Sequence, residues 1–306
     1  MNRDIEKILN LKFYSGEDLY SDGDVEDEIL EICQKNAADI KSVLKASNDW
    51  SLLYHLSDIR HNILEWYDFD KNGSILEIGS GCGAITGLFC EKLNRVVGID
   101  LSKRRSTINA VRNGEKGNLE IMVGNFEDIV IEEKFDYVTL IGVLEYSPLY
   151  INGGKNPFDV MLQKLKGYLK PNGKLIIAIE NKFGLKYFAG AAEDHTGRFF
   201  DGVNNYKGIN HVYTFSKPEI TKLLKNNGFK DNMFYYPLPD YKLPTAVYSE
   251  DNLPKPGSFL NVGLSYDRDR VNFLEETAIY DKLSEDGQFE YFANSFLIVS
   301  SLSEEV

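Results

Sequence analysis

Residues 75–84, Ile75-Leu76-Glu77-Ile78-Gly79-Ser80-Gly81-Cys82-Gly83-Ala84, set three glycines at alternate positions directly after an apolar run. Helical spacing resumes over Ala84–Lys92. A strand that must turn sharply and open a helix needs backbone conformations that a Cβ disfavours. The same bareness lets a ligand approach main-chain N–H groups at the start of the helix. Of all the features in the chain, this one most restricts the folds available: it calls for a strand–loop–helix unit that faces a ligand.

The segments that follow extend this unit into a repeating pattern. Strand-like runs rich in Ile, Val and Leu are expected at Ser74–Gly79, Arg95–Asp100, Leu119–Gly124, Phe135–Gly142 and Lys174–Glu180. Helical stretches lie between them near Ala84–Lys92, Lys103–Asn113 and Phe158–Leu169, the last announced by a capping Asn156 and a first-turn Pro157. Pro171-Asn172-Gly173 supplies a turn into the fifth strand. Largely apolar strands separated by helices predict an α/β fold with a parallel sheet covered on both faces. Such sheets bind ligands beyond the carboxyl ends of their strands, where the strand order reverses.

The flanking zones have a different texture. Residues 1–72 read as helices and loops, with Ile29, Ile32, Ala37, Ile40, Val43 and Leu44 at helical spacing and a second apolar stripe over Trp50–Trp66. A turn at Lys71-Asn72-Gly73 closes this zone. Beyond residue 182 come a loop rich in Gly, Asp and Asn (182–212), a helix at Lys217–Asn226 and a strand at Asp231–Tyr236. An irregular stretch dense in Tyr, Pro and Asp (237–262), a helix at Asp269–Leu283 and a final strand at Ser295–Ser301 complete the chain. Loops of this length inside a compact domain are usually functional.

The glycine loop alone is ambiguous. Written as Gly79-x-Gly81-x-x-Ala84, with Asp100 ending the second strand about 20 residues on, it also satisfies the dinucleotide-binding fingerprint. Two features point elsewhere. Glu77 puts a carboxylate beside the loop, which suits a ligand carrying an ammonium or sulfonium and repels a pyrophosphate. The final strand follows the strand near 231–236 with no crossover unit between them, which predicts an antiparallel hairpin at the sheet edge, where a dinucleotide fold would continue with parallel units.

With these features the chain resembles the class I S-adenosylmethionine-dependent methyltransferases over about residues 73–236 plus the final strand. Glu77-x-Gly79-x-Gly81-x-Gly83, with Ser80 inside it, resembles the first motif of that family, which wraps the methionine part of the cofactor. Asp100 in Val97-Gly98-Ile99-Asp100-Leu101 matches the ribose-binding acid, and Gly124-Asn125-Phe126 stands where the family places a Gly-Asp pair near adenine. Asn125 departs from that Asp, though its side-chain oxygen can still accept a hydrogen bond from an amine. The run from Phe135 through Gly142 and Val143 to Tyr146 is similar to the fourth-strand motif, whose end faces the reacting methyl. Leu169-Lys170-Pro171-Asn172-Gly173 matches the family's Leu-x-Pro-Gly-Gly turn apart from Asn172.

The resemblance implies a doubly wound, mostly parallel seven-stranded sheet and S-adenosyl-L-methionine as cofactor. It divides the chain into an N-terminal helical lid region (1–72), a core (73–236 plus 290–306) and an insertion that caps the acceptor site (237–289). As part of a lid, Arg60 is expected to pair with the cofactor's carboxylate. A narrower resemblance, carried by Ile179–Gly190, Ala192–His195 and Pro237–Pro244, is to methyltransferases encoded beside bacterial glycosyltransferases. It implies a small-molecule or glycan-precursor acceptor.

Methyl transfer needs an aligned acceptor and, for a hydroxyl or ammonium, a group that removes a proton. The titratable residues just past the fifth strand are Glu180, Asp194, His195 and His211, and these are the candidate catalytic residues. Glu193, Asp194 and His195 are consecutive, so their side chains are expected to diverge, and no metal-ligand set is read in the sequence. Cys82 reads as a space-filler, since no His or Lys adjoins it in sequence.

A formal charge of −13, from 47 acids against 34 bases, disfavours nucleic acid as acceptor. The acidic, polar opening of the chain and the lack of a long apolar run predict no membrane insertion and a cytoplasmic location. Two other readings remain open at this point. One is an NAD-dependent oxidoreductase acting on a nucleotide sugar, since Tyr213-Thr214-Phe215-Ser216-Lys217 has the Tyr-x-x-x-Lys spacing. The other is a non-catalytic protein that binds S-adenosylmethionine.

Overall fold

The computed structural model describes all residues except 1–4, 19, 36–38, 152–155, 261, 264 and 303–306. The chain divides into two compact units, residues 1–140 with 168–173, and residues 141–167 with 174–306. Ala37, part of the helical stripe expected over 23–46, lies outside the described residues.

In the first unit the strands are β1 (Leu9–Phe13), β2 (Ser74–Ile78), β3 (Arg95–Asp100), β4 (Leu119–Gly124) and β5 (Phe135–Ile141, which ends at the unit's boundary). They lie in the order β1-β4-β3-β2-β5, and every neighbouring pair is parallel. The chain runs outward from β2 to β3 and β4, then returns to place β5 on the other side of β2. The order therefore reverses at β2, the strand that feeds the glycine loop. All five residues of β2 are buried, as a central parallel strand requires.

The second unit is built on β6 (Leu169–Glu180, whose first residues belong to the first unit), β7 (Phe229–Leu238), β8 (Ala246–Ser249) and β9 (Ser295–Leu302). Their order is β6-β9-β7-β8, with antiparallel neighbours throughout. The expected antiparallel pairing of the final strand is present. It is tighter than a hairpin at the edge, because β9 lies between β6 and β7 and bonds to both.

Among the described residues nine strands replace the seven expected. Both additions are edge strands: β1 pairs only with β4, and β8 only with β7 in their units. Each is half exposed, so neither shows the apolar run or clean alternation by which a strand is read from sequence. The segment 1–72 thus holds a strand as well as helices. Its 23–46 pattern is two helices, Val25–Lys35 and Ile40–Ala46. The helix expected over Asp269–Leu283 starts later, at Glu276, where Glu275 accepts a hydrogen bond from Ala278 N (2.7 Å).

The N-terminal helices are fixed to the glycine loop by both apolar and ionic contacts. Ile29, Ile32, Cys33, Leu52 and Leu56 share one buried cluster with Cys82 of the loop and Ile108 of the helix Lys103–Asn113. Fully burying each of the larger side chains contributes roughly 1.5–3 kcal/mol. Arg105 pairs with Glu26 (2.7 Å) and Asp22 (2.5 Å), and Asp22 also accepts from His55 (2.8 Å). Arg112 Nη1 donates to the carbonyls of His55 and Cys82, both at 2.7 Å. The loop is thereby braced from behind, and the Cys82 thiol, pushed up to about 12 by burial, stays protonated there. No described helix is long and apolar enough to cross a membrane.

Candidate functional site

The first unit holds one candidate site, around the glycine loop. Gly79, Gly81 and Gly83 all have positive φ, at 73°, 51° and 78°. Gly79 N and Ser80 N both donate to Ile99 O (2.8 and 3.0 Å), which ties the turn to the end of β3. The three glycines serve different purposes. A Cβ on Gly83 would stand 2.3 Å from Asn109 Oδ1 and 2.5 Å from Asn113 Nδ2, so this glycine admits the packing of the following helix. A Cβ on Gly81 would meet nothing within 4 Å, so that face of the loop is open.

Asp100 closes the open face from the side. Its Oδ2 accepts from Gly81 N (2.8 Å) and its Oδ1 from Ser102 N (2.9 Å). Burial raises its pKa against the pull of those N–H groups and of the Arg105 charge. Glu77, 5% exposed, accepts a hydrogen bond from Thr86 Oγ1 (2.6 Å). Burial pushes the Glu77 carboxyl up to about 8 against that hydrogen bond; the Asp100 charge adds to the rise and Arg60 opposes it. Two buried acids beside an open, Cβ-free turn fit a ligand that brings hydroxyl and other hydrogen-bond donors to them.

The remaining first-unit candidates are placed as follows. Arg60 is buried and stacks over the Tyr54 ring at 4.1 Å. Ser80 turns its hydroxyl toward Gly98, where an added Cβ would lie 3.0 Å from it. Leu101 is half-buried after Asp100. Asn125 is half-buried and its Oδ1 accepts from Glu127 N (3.0 Å), while Phe126 is buried with its ring edge-on to Tyr168.

In the second unit a dense group of charged side chains is buried. His195 Nδ1 lies 2.8 Å from Glu193 Oε1. Glu193 is itself held by the N–H groups of His195 (2.8 Å) and Thr196 (2.7 Å) and by the Tyr206 hydroxyl (2.9 Å). The other ring nitrogen, Nε2, faces Glu145 Oε1 at 3.7 Å and Glu180 Oε2 at 3.8 Å. Glu180 Oε1 takes Lys242 Nζ (2.6 Å) and the Tyr241 hydroxyl (3.2 Å). Asp194 is paired with Lys242 (2.5 Å) and Lys186 (2.9 Å) and accepts from the Tyr187 hydroxyl (2.6 Å).

These contacts set the charge states. Burial alone would lower the pKa of His195, but the carboxylates of Glu180, Glu145 and Glu193 overcome it and raise it well above the usual range. Burial raises Glu145. Asp194 is held well below the ordinary range by Lys186 and Lys242 despite its burial. The three carboxylates thus favour the protonated ring over the neutral one.

Of the four candidate catalytic residues, three come together: Glu180, Asp194 and His195. His211 is exposed and makes no hydrogen bond or ion pair with them. The expected divergence of residues 193–195 is only partial. Asp194 turns to the lysines, while Glu193 folds back onto the ring of His195. Gly142, with φ of 68°, donates its N–H to Ala178 O (2.9 Å) and leaves room for the Tyr241 hydroxyl, 2.7 Å from where its Cβ would be. Val143 beside it is half-buried.

Sequence reasoning missed Glu145, Glu193, Lys186 and Lys242 as members of this group. Glu145 had a signal, since it lies at the carboxyl end of β5, where ligands of such sheets are bound. Lys242 had none beyond its place in an irregular polar stretch. The Tyr213–Lys217 pair does not act as one unit. Tyr213 Oη lies 2.7 Å from Lys182 Nζ, whereas Lys217, in a helix begun by Ser216 and Pro218, bonds Glu250 (2.6 Å) and Glu290 (2.7 Å).

Comparison with known proteins matches residues 76–177 to the family model described as a methyltransferase domain. An uncharacterised protein of Methanocaldococcus jannaschii is 29% identical over 164 residues, 52% of this chain and 65% of its own length. A bifunctional methyltransferase of Rickettsia conorii is 24% identical over 237 residues, 66% of this chain and 44% of its own. The chain thus spans less than two thirds of either relative. Among solved structures, an S-adenosylmethionine-dependent methyltransferase of Thermotoga maritima aligns over 89% of this chain and 99% of its own, with a TM-score of 0.46 and 16% identity.

Proposed function

We propose that this chain, whose residues 76–177 match a methyltransferase domain, is a class I S-adenosylmethionine-dependent methyltransferase that moves the cofactor's methyl group to a small polar acceptor. The observation that carries this reading is the open face at Gly81 beside the buried carboxyls of Glu77 and Asp100, inside the matched domain. When bound, S-adenosylmethionine would supply a sulfonium-bound methyl carbon open to attack by an acceptor lone pair, with the neutral thioether as leaving group.

The chain's own residues take the remaining roles. Asp100 accepts the ribose hydroxyls, the N–H groups of the Gly79–Gly83 turn meet the methionine part, and Arg60 pairs with the cofactor carboxylate. Asn125 and Phe126 border the adenine, and Leu101, Gly142 and Val143 complete the cofactor contacts. Residues 1–72 act as a lid that excludes water, and residues 237–289 cap the acceptor. A hydroxyl or ammonium acceptor loses its proton as the new bond forms, and a buried carboxylate of the Glu145–Glu180 pair takes it.

The acceptor is a sugar or amino-acid building block of a bacterial surface glycan, methylated in the cytoplasm. The buried, polar character of the second unit's group supports a hydrogen-bonding acceptor over an apolar one. Calorimetric titration with S-adenosylmethionine, S-adenosylhomocysteine and NAD tests the cofactor. Micromolar binding of the first two and none of NAD is expected, and binding of NAD alone would sink the reading. Transfer of labelled methyl to nucleotide sugars and amino acids, set against nucleic acid, tests the acceptor; label found only in nucleic acid would refute the choice.

A further inference from the structure

Glu145, Glu180 and His195 come from three separate segments: the turn after β5, the last residue of β6 and the loop beyond it. One ligand-type atom from each lies within 4.8 Å of the other two. The contacts inside the group are too long for hydrogen bonds, since Nε2 stands 3.7 Å from Glu145 Oε1 and 3.8 Å from Glu180 Oε2. A plain ion pair in a buried site would close to about 2.7–2.9 Å. Atoms bound to one metal ion at about 2.0–2.2 Å stand roughly 3–4 Å from each other, and both carboxylate distances to Nε2 fall in that range.

Two further observations point the same way. Glu145 Oε2 and Glu180 Oε2 are buried and accept no hydrogen bond from any described residue, on residues 1% and 0% exposed. Unpartnered carboxylate oxygens in such a place are costly unless a cation reaches them. Of the nearby ammonium groups, Lys242 pairs with the other oxygen of Glu180, Oε1, and with Asp194, while Lys186 pairs with Asp194. His195 is also oriented as metal-binding histidines are, its far nitrogen fixed by a carboxylate that is itself held by two backbone N–H groups and a tyrosine.

We propose that Glu145, Glu180 and His195 form a binding site for one divalent transition-metal ion. An imidazole with two carboxylates suits Zn2+, Mn2+ or Fe2+ better than Mg2+ or Ca2+, which prefer oxygen ligands alone. Three protein ligands leave at least one position for water or for an oxygen of the acceptor. The site does not depend on the methyl-transfer reading, because it draws on neither the glycine loop nor the cofactor.

Full-length protein stripped with a chelator is titrated with Mn2+, with the free ion followed by electron paramagnetic resonance, and with Zn2+ by calorimetry. One ion per chain with micromolar affinity is expected. His195→Ala and Glu180→Gln should each weaken binding by 10-fold or more, and Glu193→Gln, which removes only the support of the ring, by roughly 10-fold. S-adenosylmethionine titrated into each variant reports whether it is folded, and separates this site's failure from failure of the cofactor assignment. If the variants do not fold, the wild type decides: Mn2+ should broaden the ring signals of His195 first among the four histidines. No binding up to millimolar metal, unchanged affinity in His195→Ala, or broadening that spares His195 would each overturn the proposal.

Discussion

The glycine-loop site and the carboxylate–histidine group are built in opposite ways. The first lies within residues 77–102 and works largely through main-chain groups: N–H donors, positive-φ turns and one acid whose two oxygens are anchored on backbone. The second gathers side chains from positions 145, 180, 193–195, 206 and 242, and its geometry exists only after those segments have folded together. A site made of backbone constrains its own sequence tightly and serves one ligand. A site made of charged side chains can be re-tuned by single substitutions, as suits a fold whose members differ in acceptor.

This division of labour is open to direct attack, and the largest effect is expected on turnover. Glu180→Gln and Glu145→Gln should each lower kcat by 10²-fold or more, roughly the worth of a positioned proton acceptor, with S-adenosylmethionine affinity unchanged. If Glu180→Gln weakens cofactor binding as much as it slows transfer, the two regions do not have separate duties. Asp100→Ala should show the mirror image, an affinity loss on the order of 100-fold by calorimetry from hydrogen bonds to a charged group. Binding as tight as wild type would place the cofactor elsewhere.

The loop itself allows a sharper test. Gly83→Ala must accommodate a Cβ only 2.3 Å from Asn109 and should cost about 2–4 kcal/mol in thermal unfolding. Gly81→Ala has space for its Cβ and should cost about 1 kcal/mol, the strain of its positive φ, while weakening the cofactor more than Gly83→Ala does. Equal stability losses would contradict the different roles of the two glycines.

A smaller effect concerns acidity. Glu77 in the folded protein titrates at about 8, above its usual value of 4.5, so the native state holds a proton that the unfolded chain releases between those values. The stability it contributes is complete below pH 4.5 and is lost as pH rises toward 8, by about 1 kcal/mol per pH unit. Melting of the cofactor-free protein between pH 5 and 8.5 should show this slope, and Glu77→Gln should flatten it. A steeper fall in the variant would reverse the sign. Last, His211→Ala should leave turnover within twofold, because this exposed ring is apart from the group that holds His195; a large loss would extend the second region to a part of the loop left out of it here.

What was legible in the sequence follows the same divide. The inner strands of the alternating zone were readable because buried strands are largely apolar, and Arg95–Asp100 and Leu119–Gly124 appear with the expected bounds. The loop was readable because three positive-φ positions demand glycine. β1 and β8 were not, since half-exposed edge strands carry no such signature. Glu180, Asp194 and His195 could be nominated as titratable residues past a strand, yet nothing in the chain's order announced that Glu145, Glu193 and Lys242 would join them. That information sits in the tertiary packing. Nor does the order of residues announce that carboxylates would flank both ring nitrogens of His195.

The place of β9 has a consequence for how the protein is made. Every strand of the five-stranded parallel set precedes β6 in the chain, so that set can begin to form while the rest is still being translated. β9 emerges after β6, β7 and β8, yet it sits between β6 and β7 and bonds to both. Until it arrives, two facing edges wait with open N–H and C=O groups, and β6 and β7 must avoid joining each other or another chain. β9 is therefore the keystone of its unit, the strand that closes two edges at once.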